Sequence, residues 1–183
     1  MELYLITGFL GAGKTTFLKN FARQFAGRRL RLIINEFGRA GVDGTLLREL
    51  DAALDEISNG SIFCACRLDQ FEAALEQAAA DAPDVVLVEA SGLADPTNVR
   101  RVLAQFPAVS YQGSVCVADA ARLEKVFSTA RACPRQLAVS SLVLLNKTDL
   151  ATEAQCAEAK ALILRANPAA RIRRTQFGRF EPE

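Results

Sequence analysis

Residues 8–16 read GFLGAGKTT, and the fold turns on how this stretch is read. It satisfies G-x-x-x-x-G-K-[ST] through Gly8, Gly13, Lys14 and Thr15. Just before it, LYLIT (3–7) is a short β-rich apolar run. From its end, KTTFLKNFARQFA (14–26) carries a helical pattern that stops at Gly27. Strand, glycine loop and helix form the context a phosphate site needs. Glycines let backbone N–H groups turn inward onto phosphate oxygens, and the helix N-terminus adds the positive end of its dipole. Gly11, Ala12 and Thr16 complete the cradle, Lys14 reaches the β and γ phosphates, and the Thr15 hydroxyl coordinates Mg²⁺. The stretch therefore predicts a nucleotide site.

Outward from it, the same alternation repeats. LRLII (30–34), VVLVE (85–89), SVCVA (114–118) and LVLLN (142–146) are near-continuous apolar runs, with a weaker one at ARIRR (170–174). Strands apolar on both faces belong to a parallel sheet covered on each side by helices. Helical stretches fall between them, including ATEAQCAEAKALILRA (151–166) and TLLRELDAAL (45–54). Asp95-Pro96 supplies a cap and a fixed φ for a further helix start. The segment 55–64 and its neighbourhood read as an irregular turn or hairpin. These features predict one three-layer α/β domain over 1–183, a P-loop fold with a mostly parallel central sheet flanked by helices.

The base is read from LVLLNKTDL (142–150), which ends a buried strand in N-K-x-D: Asn146, Lys147 and Asp149. Guanine offers N1–H and its amino group on one edge, and an ionised Asp149 accepts both. Adenine would leave that carboxylate desolvated and unpaired. Lys147 can lay its stem on the base and Asn146 can bridge to neighbouring loops. TQFG (175–178) follows the last strand, where a loop covering the other side of the base would fall, so Thr175 and Gln176 are candidates there.

VVLVEASGLADP (85–96) places Glu89 at a strand end, where it can hold Mg²⁺ directly or through water. Three residues on, Gly92 offers an N–H that can approach a γ-phosphate with no Cβ in the way. NEFGRAGVD (35–43) carries Asn35, Glu36 and Asp43 on a glycine-punctuated loop of the kind that orders around Mg²⁺ and γ-phosphate. Asp43 reads equally as a Mg²⁺ ligand or as the cap of the helix that follows. No glutamine at 90–94 orients a water in the manner of Ras-type switches. Slow intrinsic turnover is expected, faster when a partner or second subunit completes the site.

Composition narrows the partners. A formal net charge of +1 gives no general reason for nucleic acid or an anionic membrane. The one local basic excess, Arg171, Arg173, Arg174 and Arg179, reads as a solvated strand face. No apolar run approaches the ~20 residues of a membrane span. The N-terminus, MELYLITG, runs straight into strand-like sequence with no leader pattern. Five cysteines do not make a secreted disulfide framework, so a reducing, cytoplasmic setting is expected.

The chain resembles the nucleotide-binding domain of the CobW-like GTPases, relatives of the nickel-insertion GTPases of urease and hydrogenase. The resemblance rests on GFLGAGKTT, NEFG with the downstream Asp43, NG at 59–60, EASGLADP (89–96) and LNKTDL (145–150). It implies a mostly parallel P-loop fold, GTP hydrolysis with Mg²⁺, and delivery of a metal ion or cobalt cofactor to a client protein. Relatives often work as homodimers. The branch with an extra lysine early in the phosphate loop is not matched, because 9–12 read FLGA. Many such proteins carry a C-terminal domain for which a chain ending at Glu183 has no room, so the expectation is a nucleotide domain standing alone or cut from a longer protein.

NGSIFCACR (59–67) departs from the pattern. The family reads N-G-C-x-C-C here, and its cysteines fall on Ser61, Phe63 and Cys64, so one is retained. Cys66 lies two residues further on. Were 61–66 extended, Cys64 and Cys66 would share a face and could pinch one ion. With no histidine in the chain, a tetrahedral Zn²⁺ site would need a carboxylate, and the resemblance puts Glu36 near. Co²⁺ and Ni²⁺ are alternatives. The competing reading makes both cysteines small core residues. Three functions follow: a GTP-driven metallochaperone or cofactor-insertion GTPase, a nucleotide switch without metal handling, and, against N-K-x-D, a P-loop small-molecule kinase.

Overall fold

The computed structural model describes residues 1–35, 44–58, 60–64 and 67–179. Glu2–Thr7 (β1), Leu30–Ile34 (β2), Ala53–Glu56 (β3), Val85–Glu89 (β4), Ser110–Asp119 (β5), Leu142–Asn146 (β6) and Arg171–Arg174 (β7) form one sheet in the order β3-β2-β4-β1-β5-β6-β7. Every pairing in it is parallel. Its helices are Lys14–Ala22 (α1), Gly44–Leu50 (α2), Leu68–Asp81 (α3), Val99–Leu103 (α4), Leu123–Thr129 (α5), Ala132–Ala138 (α6) and Glu153–Ala166 (α7).

The apolar runs are what make the sheet central. Side chains alternate across a strand, so an uninterrupted run such as VVLVE feeds two cores. From β4, Val85 and Leu87 join the Phe17, Leu18 and Phe21 of α1 on one face. Val86 and Val88 meet Phe71, Leu75 and Ala78 of α3 and Val99 and Val102 of α4 on the other. Further along that second face, Cys116, Ala118, Val143 and Leu145 pack on α5, α6 and α7 through Leu123, Val126, Leu137 and Ile163. Burying one large apolar side chain contributes about 1.5–3 kcal/mol, and Phe17 and Phe71 are both wholly enclosed. Because all strands run one way, every loop that carries chemistry leaves the same edge of the sheet. β1 lies between β4 and β5, where the strand order reverses, and a ligand crevice opens at such a point.

Two expectations change. The 45–54 stretch is not one helix. It ends at Leu50, Asp51 turns at φ 48°, and Ala53–Glu56 runs as an edge strand beside β2. Arg31 on β2 gives the reason. Its guanidinium is buried, and a buried cation needs carboxylates. Asp55 of β3 receives Nε at 2.6 Å and Nη2 at 2.9 Å, and Asp81 at the end of α3 takes Nη1. The strand is parallel to its neighbour, and among the described residues of 55–64 the chain goes on into an irregular turn rather than a hairpin.

Nor is the segment 61–64 extended. Cys64 N donates to Ser61 O at 2.9 Å, and Leu68 N donates to Cys64 O at 3.0 Å, making a tight turn that launches α3. Ile62 and Phe63 are its buried residues, with Phe63 edge-on to Phe71 at 5.7 Å between ring centroids. The premise that put two cysteines on one extended face therefore fails over 61–64. At the far edge of the sheet, Arg174 of β7 pairs with Glu153 at 2.8 Å between two exposed side chains, as a solvated face requires.

Candidate functional site

The phosphate loop joins β1 to α1. Gly8 sits at φ 134°, and a Cβ there would lie 2.2 Å from Val117 O. Gly13 sits at φ 105°, where a Cβ would lie 2.5 Å from Asn146 Nδ2. Neither position admits a side chain. Ala12 is buried behind the loop, while Gly11 and Thr16 face its open mouth. Lys14 is 5% exposed, held down at the start of α1. The Thr15 hydroxyl donates to Glu89 Oε1 at 3.0 Å. Glu89 is 0% exposed at the end of β4, opposite Ile6 of β1. A hydroxyl and a buried carboxylate side by side are hard oxygen donors of the type Mg²⁺ takes, so these two residues fit that ion.

The base side is tied to the same loop. Asn146, 2% exposed, donates from Nδ2 to Ala12 O at 2.9 Å and accepts at Oδ1 from Gly178 N at 3.0 Å. It thereby joins the phosphate loop to the loop after β7. Lys147 takes a left-handed backbone at φ 59°, which aims its Nζ at Gly11 O (2.6 Å) and at Asp119 Oδ2 (2.9 Å). Asp149 lies exposed on the single 3-10 turn Thr148–Leu150. Thr175 is buried: its N–H donates to Leu145 O and its hydroxyl to Arg179 O, so it shapes the loop from within. Gln176 is exposed.

The loop after Glu89 closes the cradle. A Cβ on Gly92 would come within 2.7 Å of Leu10 N, so this backbone lies directly against the phosphate loop. Asn35 is buried under the start of the same loop, accepting at Oδ1 from Ser91 N. Of the transition-metal candidates, Cys64 is described and exposed, in the turn before α3. Glu36, Asp43 and Cys66 lie outside the described residues. Among the described residues, no group of three or more Cys, Asp or Glu side chains is placed to hold a metal ion.

Two residues of this site escaped the sequence reading. Asp119, at the end of β5, holds Lys147. A carboxylate closing the strand run SVCVA was the available signal. Gln136 of α6, 1% exposed, donates to Gly92 O at 3.2 Å and Ala94 O at 2.9 Å, fixing the 92–94 backbone from behind. Nothing local in ACPRQLA marks it. Cys116, Cys133 and Cys156 are core. Burial pushes the Cys116 thiol up to about 12 and Cys133 up to about 11, so both stay protonated. No helix among the described residues is long and apolar enough to cross a membrane.

Comparison with known proteins bears on the fold and the family. The chain is similar to the zinc chaperone CobW of Pseudomonas aeruginosa, 32% identical over 206 aligned residues, covering 93% of this chain and 55% of that protein. It is also similar to the zinc chaperone YeiR of Escherichia coli, 33% identical over 153 residues, covering 81% of this chain and 47% of that one. It thus spans about half the length of these curated relatives. Among solved structures, the Zn(II)-bound YjiA GTPase from Escherichia coli superposes with a TM-score of 0.70 at 23% identity, covering 94% of this chain and 57% of that one. HypB from Helicobacter pylori in complex with nickel superposes with a TM-score of 0.63 at 18% identity, covering 96% and 78%. At those identities the likeness speaks for the fold. The family model for the CobW/HypB/UreG nucleotide-binding domain matches residues 2–174, and the chain belongs to that family.

Proposed function

We propose that this chain is a GTP-binding and GTP-hydrolysing domain that works in the delivery of a transition metal, zinc first, to a client protein. The observation that carries the nucleotide half is Asn146. One buried amide spans the phosphate loop and the base loop, so the two halves of a guanine-nucleotide site are already in register. Backbone N–H groups of 11–16 take the phosphates, Lys14 neutralises the β and γ oxygens, and Asp149 accepts the two guanine donors. Thr15 and Glu89 would hold Mg²⁺, which supplies charge neutralisation at the phosphates when bound. Gly92 brings its N–H to the γ-phosphate and makes the 89–94 loop the part that senses GTP against GDP. No glutamine stands at 90–94 to orient an attacking water, so turnover stays slow until a client or a second copy of the chain completes the site.

The metal half rests on the zinc-chaperone relatives and on Cys64, with Cys66 and Glu36 as the further ligands and the ion as cargo. One observation favours the switch reading instead. The turn at 61–64 buries Ile62 and Phe63, so on its N-terminal side the retained thiol follows two core residues. The test is equilibrium Zn²⁺ and Co²⁺ binding to reduced protein, with and without GTP–Mg²⁺, beside a Cys64→Ser/Cys66→Ser variant. Stoichiometric binding that responds to nucleotide and disappears in the variant is expected. Binding indifferent to those thiols would leave a nucleotide switch acting through protein contacts.

A further inference from the structure

Asn35 follows β2 and is 1% exposed. An asparagine amide has two donor hydrogens and an oxygen with two lone pairs, and all four are used here. Nδ2 donates to Ile57 O at 3.0 Å and to Gly60 O at 2.6 Å. Oδ1 accepts from Ile62 N at 3.0 Å and from Ser91 N at 3.3 Å. Three of these partners belong to the segment 57–62, which runs into the turn at Cys64. The fourth belongs to the loop between Glu89 and Gly92. The backbone supports the same junction, since Asn35 N donates to Glu89 O at 2.8 Å and Ile57 N to Ile34 O at 2.9 Å.

We propose that Asn35 is the positioning residue through which the nucleotide state of the 89–92 loop reaches the turn that carries Cys64. The inference rests on the guanine-nucleotide reading above and adds its route to the thiol. Ser91 precedes the glycine that would meet a γ-phosphate, and its arm is the longest of the four bonds. Movement of Gly92 toward a γ-phosphate draws Ser91 N away from Oδ1 first. Losing one donor leaves the buried amide oxygen with Ile62 N as its remaining partner, and the cost of an unmet lone pair then falls on that bond. Ile62 is two residues from Cys64, and its side chain is sealed in the core beneath α3, so a shift there is transmitted into the turn. Coupling of this kind needs two sites, two arrangements and an element both can bias. Asn35 is that element.

The test reads the thiol directly and needs no metal. Labelling of Cys64 by a maleimide is followed at the peptide level in the wild-type chain. The chain is loaded either with GDP–Mg²⁺ or with a non-hydrolysable GTP analogue and Mg²⁺. The two rates should differ by about fivefold or more, the low end of ordinary coupling between sites. Amide exchange at Ser91 and Ile62 should change between the same two states. Asn35→Ala, and Asn35→Asp with one oxygen facing two carbonyls, should erase the difference when each variant is saturated with the same nucleotides. Equal Cys64 labelling in the two wild-type complexes, or a difference that survives in both variants, overturns the inference alone. A wild-type chain that binds no guanine nucleotide overturns the underlying reading and this inference with it.

Discussion

The Asn146–Lys147 side of the cradle and the turn that carries Cys64 leave the same edge of the sheet, yet they are held in different ways. Around Lys147 and Asn146, each polar group is fixed by a partner remote in the chain: Ala12, Gly11, Asp119 and Gly178. That network is preorganised, so binding there orders little that is not already ordered. Around Cys64 the backbone makes a local turn, Ser61 to Cys64 and Cys64 to Leu68, tied to the sheet through Asn35 at Gly60 and Ile62 and resting on two buried apolar residues.

The sharpest way to break the comparison is Lys14→Ala. Removing the buried ammonium from a preformed phosphate site should weaken GTP and GDP by about 2–5 kcal/mol, read by titration calorimetry. Zn²⁺ binding measured without nucleotide should be untouched. Asp119→Asn comes next. Lys147 keeps Gly11 O but loses its charged partner, so nucleotide affinity should fall by about 1–2 kcal/mol with little change in melting temperature. An unchanged affinity would mean that the lysine is positioned by the backbone alone. Gln136→Met keeps the volume and leaves Gly92 O and Ala94 O without their donor. A loss of about 1–3 kcal/mol in stability should accompany slower turnover at unchanged GDP affinity, measured by denaturation and steady-state hydrolysis.

The smallest effect separates the two classes of thiol. Desolvation raises the pKa of Cys116 to about 12 and of Cys133 to about 11, above an ordinary value of 9.0. A raised value in the folded state means that stability is full below pH 9 and is lost progressively from there as pH climbs to 11 and 12. The loss is up to about 1.4 kcal/mol per pH unit for each thiol. Denaturation midpoints across pH 8–12 should fall only in that window, and Cys116→Ala should flatten the fall. At pH 8, Cys64 should react with a thiol reagent while Cys116 and Cys133 stay protected until unfolding.

What was legible in the sequence follows the same divide. GFLGAGKTT and NKTD are contiguous strings whose geometry is set within a few residues, so their place at one mouth of the sheet could be read directly, as could the apolar runs that make the sheet parallel. Asp119 and Gln136 were not legible, because each gains its role from a partner 28 or 44 positions away. The strand at Ala53–Glu56 was missed for a related reason. ALDE has no apolar pattern, and Arg31's demand for Asp55 is what lays it beside β2. The turn at 61–64 misled differently, since alternate spacing suggested a shared face and the burial of Ile62 and Phe63 curled the chain instead.

The central claim is that the cradle selects guanine, and competition between GTP and ATP on the wild-type chain, repeated with Asp149→Ala, tests it most directly. The account predicts GTP preferred by about a hundredfold or more in the wild type and by little in the variant. Equal affinities in the wild type, or a preference that survives loss of the Asp149 carboxylate, would contradict it.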